Sequence, residues 1–422
     1  MSDRLLIKNA HIIGACEPFD GNILVRDGKI AAVGAVNDDG SCEVIDASGL
    51  VAAPGLIDLH VHLRDPGLTY KEDIVSGCRA AAAGGVTGVA AMPNTKPATD
   101  STEVLKYILE KAEDADAKVY PVAAATEGLR GEKLNDFEAL SAAGACAFSD
   151  DGEPVKTAPL LLRALEDAKR CGKPFLAHCE EKSLAAGGLM NEGKISEQLK
   201  VQGIPAAAED IGTARELAAA LSTGTRVHIC HVSTASSVKL IRAAKEAGAD
   251  VTAETCPHYF ALTEEKLLSR DADFRMNPPL RTEEDRLAVI QGIADGTIDA
   301  IATDHAPHSP EEKCDFLTAP NGSVGLETSL AAGITYLVNT GVITLEKLIS
   351  MMSTVPAEIL GVEGGMLADG RAADIVLFSP SERWTVCPEK LHGKSKNTPF
   401  KGTELCGRVK YTILNGRIVY RD

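Results

Sequence analysis

The chain has 422 residues, 45% hydrophobic and 24% charged, with 43 Lys and Arg against 60 Asp and Glu for a formal net charge of −17. That length and apolar fraction suit one large domain with an accessory part, and the acidic surplus, with no basic excess to neutralise phosphates, argues against nucleic acid as a partner. Eleven scattered cysteines, an odd number with no CxxC pair, read as reduced thiols of a cytoplasmic protein.

The chain begins MSDRLLIKNAHII, without the basic-then-apolar pattern of a signal peptide, and no apolar run is long enough to cross a bilayer, so no membrane partner is expected. Residues 3–50 hold short β-type runs, among them GNILVRDGKIAAVG, where Asp27-Gly28 marks a hairpin turn. Residues 364–422 repeat the pattern with DIVLFSP and with YTILNGRIVY around Asn415-Gly416. Neither end alone has enough strand for a stable sheet. The two ends are therefore expected to pair into one small β domain, a β-sandwich made of residues 1–54 and 364–422.

Between them, β-rich runs alternate with helical segments such as 101–116, 156–171 and 209–222. The runs are GLIDLHVHL, GVTGVAAMP, AKVYPVAAA, GACAFSDD, KPFLAHC, TRVHICHVS, DVTAETCPH and DAIATDHAP. Eight strands alternating with helices is the count of a closed parallel (β/α)8 barrel of the TIM type, here residues 55–363. No GxGxxG or P-loop supports a doubly wound sheet instead.

In such a barrel the active site lies at the C-terminal ends of the strands. His60 and His62 fall there on the first strand, Asp150 and Asp151 on the fourth, His178 on the fifth, His231 on the sixth and Asp304 on the eighth, with Asn94 just after the second. Four imidazoles and two carboxylates form a nitrogen and oxygen donor set suited to zinc or another divalent transition metal. One ion takes about four ligands, so six imply two ions sharing a carboxylate of the fourth strand. Asp58, His60, His62 and Arg64 recur at period two and are expected on one strand face, with Asp58 orienting a histidine ligand. His228, three before His231, is expected to face the helices, and His305 has the wrong parity. His11 and His392 lie outside the barrel, and His258 is open between packing and support of the site.

The stretches DLHVHLRDPG (58–67) and ATDHAPHSPEEK (302–313) resemble the two motifs of the dihydroorotase family, class I type, within the cyclic amidohydrolase superfamily. The resemblance covers essentially the whole chain. It implies His60, His62 and Asp304 on one zinc ion, His178 and His231 on the other, and Asp151 rather than Asp150 as the bridge. Many relatives bridge with a carboxylated lysine, but AFSDDG offers none there, and Lys156 is too far along. It further implies that Arg64 and Asn94 hold the carboxylate of dihydroorotate with His308 assisting, that Asn277 meets the ring amide, and that Asp304 moves the proton. Residues 308–325 would form a loop over the site. A homodimer, and the association with aspartate transcarbamoylase known for some relatives, follow as expectations. The alternatives are another cyclic amidase, such as an allantoinase, hydantoinase or dihydropyrimidinase, whose substrates lack the ring carboxylate, and a scaffold homologue, which should have lost ligands.

Overall fold

The computed structural model describes residues 4–15, 17–36 and 42–422. The N-terminal end supplies β1 (Arg4–Ile12), β2 (Phe19–Arg26), β3 (Lys29–Gly34), β4 (Glu43–Asp46) and β5 (Val51–Pro54). Asp27 and Gly28 turn β2 into β3 with φ of 50° and 75°, the left-handed pair that a two-residue hairpin requires.

The barrel follows. Its strands are β6 (Leu56–Val61), β7 (Val86–Ala91), β8 (Lys118–Ala124), β9 (Ala147–Ser149) and β10 (Phe175–Ala177). A short pair, β11 (Met190–Asn191) and β12 (Gly203–Ile204), interrupts before β13 (Val227–Ile229), β14 (Val251–Thr255) and β15 (Ala300–Ile301) complete it. The eight barrel strands stand in chain order, each parallel to the next. A bridge between Val61 and His305 closes the ring, with the His62 N–H 2.8 Å from the His305 carbonyl. The eight sequence runs are thus the eight strands, and the expected helices appear as Thr102–Lys111, Ala158–Arg170 and Ala207–Thr223.

Side-chain alternation divides the cores. Leu59, Ala90, Val122, Ala147, Leu176 and Ala300 fill the barrel interior, where small residues let the strands converge. Val89, Phe148, Ile229 and Ile301 point outward into the helical layer. The chain then returns to the terminal sheet as β16 (Ile375–Thr385), β17 (Glu404–Leu414) and β18 (Arg417–Arg421). β16 pairs antiparallel with β5, so both chain ends share one sheet, and the Asn415-Gly416 turn repeats the left-handed geometry of Asp27-Gly28. Ile7, Ile23, Ile45, Ile375 and Ile413 form the separate core of this β-sandwich. The ten described cysteines are all free; Cys16 and the first three residues of the N-terminal reading lie outside the described residues. Among the described residues no helix is long and apolar enough to cross a membrane.

The expected polar row on the first strand is corrected. Pairing of β6 with β7 shifts register between Asp58 and Val61, so a bulge breaks the period-two alternation. Ile57 and Leu59 occupy the interior cluster below the bulge. The Asp58 carboxylate accepts the backbone N–H groups of His60 and Thr303, both at 3.1 Å, instead of meeting a histidine ring. It ties β6 to the segment after β15 and steadies His60 through the main chain.

Only Gly55 separates the terminal sheet from the barrel. Its N–H bonds the Asp374 carbonyl at 2.9 Å, and its carbonyl accepts from Ser353 Oγ at 2.7 Å. A methyl group there would lie 2.1 Å from Oγ1 and 2.8 Å from Cβ of the buried Thr87. Gly55→Ala is therefore expected to cost about 1–3 kcal/mol through overpacking, read as a lower midpoint in chemical denaturation; an unchanged midpoint would show that this junction has slack.

Candidate metal centre

The six residues at the strand ends meet at one point. His60 is the last residue but one of β6 and His62 follows the strand; Asp151, His178, His231 and Asp304 lie just beyond β9, β10, β13 and β15. All six are at most 7% exposed. Asp151 Oδ1 is 3.4 Å from His60 Nε2, 3.5 Å from His178 Nδ1 and 3.9 Å from His231 Nε2, while Oδ2 is 3.6 Å from His62 Nε2. His60, His62 and Asp151 form one group with donor atoms within 4.8 Å of one another; Asp151, His178 and His231 form a second. Asp304 Oδ1 belongs with the first, 3.0 Å from His62 Nε2 and 3.7 Å from His60 Nε2. Asp150 is elsewhere: it accepts from the N–H and hydroxyl of Thr126 and braces that turn.

The electrostatics favour a cation. Burial disfavours the His60 imidazolium, yet the Asp151 carboxylate holds its pKa well above the ordinary range. Against its own burial, His178 is lifted to about 9 by Asp151 and Glu180. Conversely His60, His178 and His231 hold Asp151 well below the usual carboxylate range despite burial. Nε2 of His60 is buried with no hydrogen-bond partner. A buried imidazole nitrogen without a hydrogen-bond partner, facing two carboxylates, fits a divalent ion that borderline nitrogen and oxygen donors would hold, displacing protons as it binds.

The outward nitrogens meet Asn94 and two carboxylates, Glu254 and Glu180, that the sequence reading missed. His60 Nδ1 bonds Glu254 Oε1 at 3.1 Å, and His178 Nε2 faces Glu180 Oε2 at 3.5 Å. His62 Nδ1–H donates to Asn94 Oδ1 at 2.8 Å. The two hydrogen bonds decide which nitrogen of His60 and of His62 turns inward. Glu254 was legible as a lone carboxylate inside the apolar strand DVTAET; Glu180, in the loop after β10, left no such signal. His228 is a correction. It lies within the barrel, its Nε2 3.2 Å from Glu254 Oε2 and its Nδ1 2.8 Å from Thr252 Oγ1. A φ of 38° at His231 breaks the alternation, so both histidines reach the interior. His258 is buried edge-on against Tyr259, and burial pushes its pKa down to about 4. His305 turns away, 3.8 Å from Glu72.

The remaining predicted residues ring this centre. Asn94 donates from Nδ2 to Asp151 Oδ2 at 3.0 Å. Asn277 donates to Glu180 Oε1 at 2.9 Å, beside a cavity of about 430 Å³ lined by Glu180, Lys182, Asn277 and Asn321. Arg64 is 9% exposed; its Nε bonds the Pro307 carbonyl at 3.3 Å and its Nη2 lies 3.4 Å from His308 Nε2. Among the described residues no carboxylate pairs with this guanidinium.

Comparison with known proteins gives the family and the fold. Residues 49–237 match the Dihydro-orotase-like family model, and residues 198–420 match that of the Amidohydrolase family. A dihydroorotase of Geobacter metallireducens is 49% identical over 422 residues, 99% of each chain, and one of Syntrophus aciditrophicus is 47% identical over 99% of this chain and all of its own. Among solved structures, the L-hydantoinase (dihydropyrimidinase) of Arthrobacter aurescens superposes with a TM-score of 0.89 at 27% identity, over 100% of this chain and 96% of its own. The dihydropyrimidinase of Brevibacillus agri gives 0.87 at 26%, over 99% and 95%. The chain therefore belongs to the dihydroorotase family of amidohydrolases.

Proposed function

We propose that this enzyme catalyses the dihydroorotase reaction of pyrimidine biosynthesis, the reversible closure of N-carbamoyl-L-aspartate to (S)-dihydroorotate and water. The observation that carries the substrate is Arg64, a buried guanidinium at the edge of the metal centre without a carboxylate of its own. Hydantoin and dihydropyrimidine rings bring no anion to pair with it; dihydroorotate does. The proposed ligands are His60, His62 and Asp304 for one zinc ion and His178 and His231 for a second, with Asp151 between them. Such ions lower the pKa of water and polarise a carbonyl.

The chain's own groups supply the rest. Asp304, held ionised against burial by the His62 imidazole beside it and the charges around it, takes a proton from the attacking water. It returns that proton to the ring nitrogen as the amide C–N bond breaks. In ring closure the ureido nitrogen attacks the side-chain carboxyl carbon, and its proton, passed through Asp304, leaves with the departing oxygen, which takes up one more proton from solvent to become water. Arg64 and Asn94, with His308, orient the ring carboxylate, and Asn277 the ring amide. The reading carries with it domain limits of 1–54 with 364–422 and 55–363, a cytoplasmic homodimer, and association with aspartate transcarbamoylase as in some relatives.

Three outcomes are expected. Protein purified without chelator holds about two divalent ions per chain, zinc by elemental analysis, and turnover by metal-free protein would exclude the mechanism. Asp151→Ala strips metal and activity together, whereas Asp150→Ala keeps the metal; equal losses would remove Asp151 as the bridge. For Arg64→Met, loss of one partner of a desolvated charge pair costs roughly 2–5 kcal/mol. kcat/KM for dihydroorotate should fall about 30-fold to several-thousand-fold with metal content intact. Hydrolysis of dihydrouracil should be poor and no poorer in the variant; parallel losses on both substrates would make Arg64 structural.

A further inference from the structure

A second buried cation reaches His308 from the loop that carries Arg64. Lys71, in GLTYKED, is 8% exposed, and its Nζ lies 3.2 Å from His308 Nδ1. An ammonium can only donate, so Nδ1 carries the lone pair and Nε2 the proton. On the other side of the ring Nε2 is 2.8 Å from the carbonyl oxygen of Asn321, which can only accept, so the proton lies there and Arg64 Nη2, at 3.4 Å, is a neighbour of Nε2 and not its hydrogen-bond donor. Lys313 fixes that carbonyl by donating to the flanking Pro320 and Gly322 carbonyls at 3.0 and 2.9 Å. Burial, then the charges of Arg64, Lys71 and Lys313, push the His308 pKa down to about 3, leaving a neutral ring with a single N–H.

Lys71 is itself aimed by Glu312, whose Oε1 is 2.8 Å from Nζ and accepts the Tyr70 hydroxyl at 3.0 Å. Glu312 Oε2 accepts the Ser309 N–H at 3.1 Å and stands 3.5 Å from His308 Nδ1. The network therefore contains both an ammonium that keeps the proton off Nδ1 and a carboxylate that would draw it there.

We propose that Lys71 is the positioning residue that fixes His308 as its Nε2–H tautomer, turning the one N–H toward the side shared with Arg64. This rests on the dihydroorotate reading, in which that side receives the substrate carboxylate. The Asn321 carbonyl holds the N–H until the carboxylate takes it. Without the ammonium, Glu312 captures the proton at Nδ1, and Nε2 presents a lone pair to the incoming anion. A hydrogen bond becomes a repulsion.

The test is steady-state kinetics with dihydroorotate on the metal-loaded enzyme, with metal content measured for each variant. Lys71→Met should raise KM about 10- to 100-fold, the scale of one hydrogen bond to a charged group, while kcat and metal content hold. The double variant Lys71→Met/Glu312→Gln should recover much of the KM, because a glutamine amide can donate to Nδ1 and restore the Nε2–H form. Lys71→Arg, which keeps a donor, should fall between. A parent-like KM in Lys71→Met, a loss confined to kcat or metal, or no relief from Glu312→Gln would each overturn the proposal. A parent enzyme inert toward dihydroorotate would instead overturn the functional reading, and this inference with it.

Discussion

One carboxylate within 4.0 Å of four imidazoles is the constraint around which the molecule is arranged. Asp151 gathers histidines from the ends of β6, β10 and β13, so the barrel must close with those ends converging to within hydrogen-bonding reach. Burying so many ionisable groups is costly unless each charge meets its opposite. Glu254 and Asn94 bond the outward nitrogens of His60 and His62, and Glu180 faces that of His178, which leaves the inward nitrogens crowded against one another, Asp151 and Asp304. That imbalance is what a pair of cations would relieve.

The backbone carries part of the cost. Nine non-glycine residues among those described have positive φ, and three are Arg64, His231 and Asp304. Left-handed backbone at such residues costs roughly 1–3 kcal/mol each and persists where surrounding structure dictates it. For His231 the reason is geometric. His228 and Cys230 already face the barrel interior, and straight strand continuation would send the next side chain outward. A left-handed turn brings it back over the rim.

The barrel was readable because its signals are local. Short apolar strands, helical spacers and two hairpin turns each announce themselves within a few residues. Polar residues at strand ends marked the rim, since little else explains a histidine or aspartate closing an apolar run. What failed was strict alternation. A bulge at Asp58–Val61 and a left-handed residue at His231 each reversed parity, so Asp58 turned to the backbone and His231 joined His228 on the inward side. Neither feature has a side-chain signature. Glu180 and Lys71 escaped notice for another reason: a charged residue in a loop is ordinarily solvated, and only tertiary structure reveals that these two are buried.

The superposition with hydantoinases at 26–27% identity bears on how chemistry and specificity are divided. Six rim groups sit on or just beyond strand ends, where the hydrogen-bonded barrel limits movement. Arg64, Lys71, His308 and Glu312 lie farther out, in the loops after β6 and β15. Those two strands meet at the seam where Val61 bridges His305, so the four groups converge although more than two hundred residues separate the two loops. Asn277 and Glu180 stand on the His178 side. A ring with its carboxylate at the seam and its amide toward Asn277 would thus lie across Asp151. On this reading the same rim can open different cyclic amides, and the loops at the seam decide whether the ring must bring a negative charge.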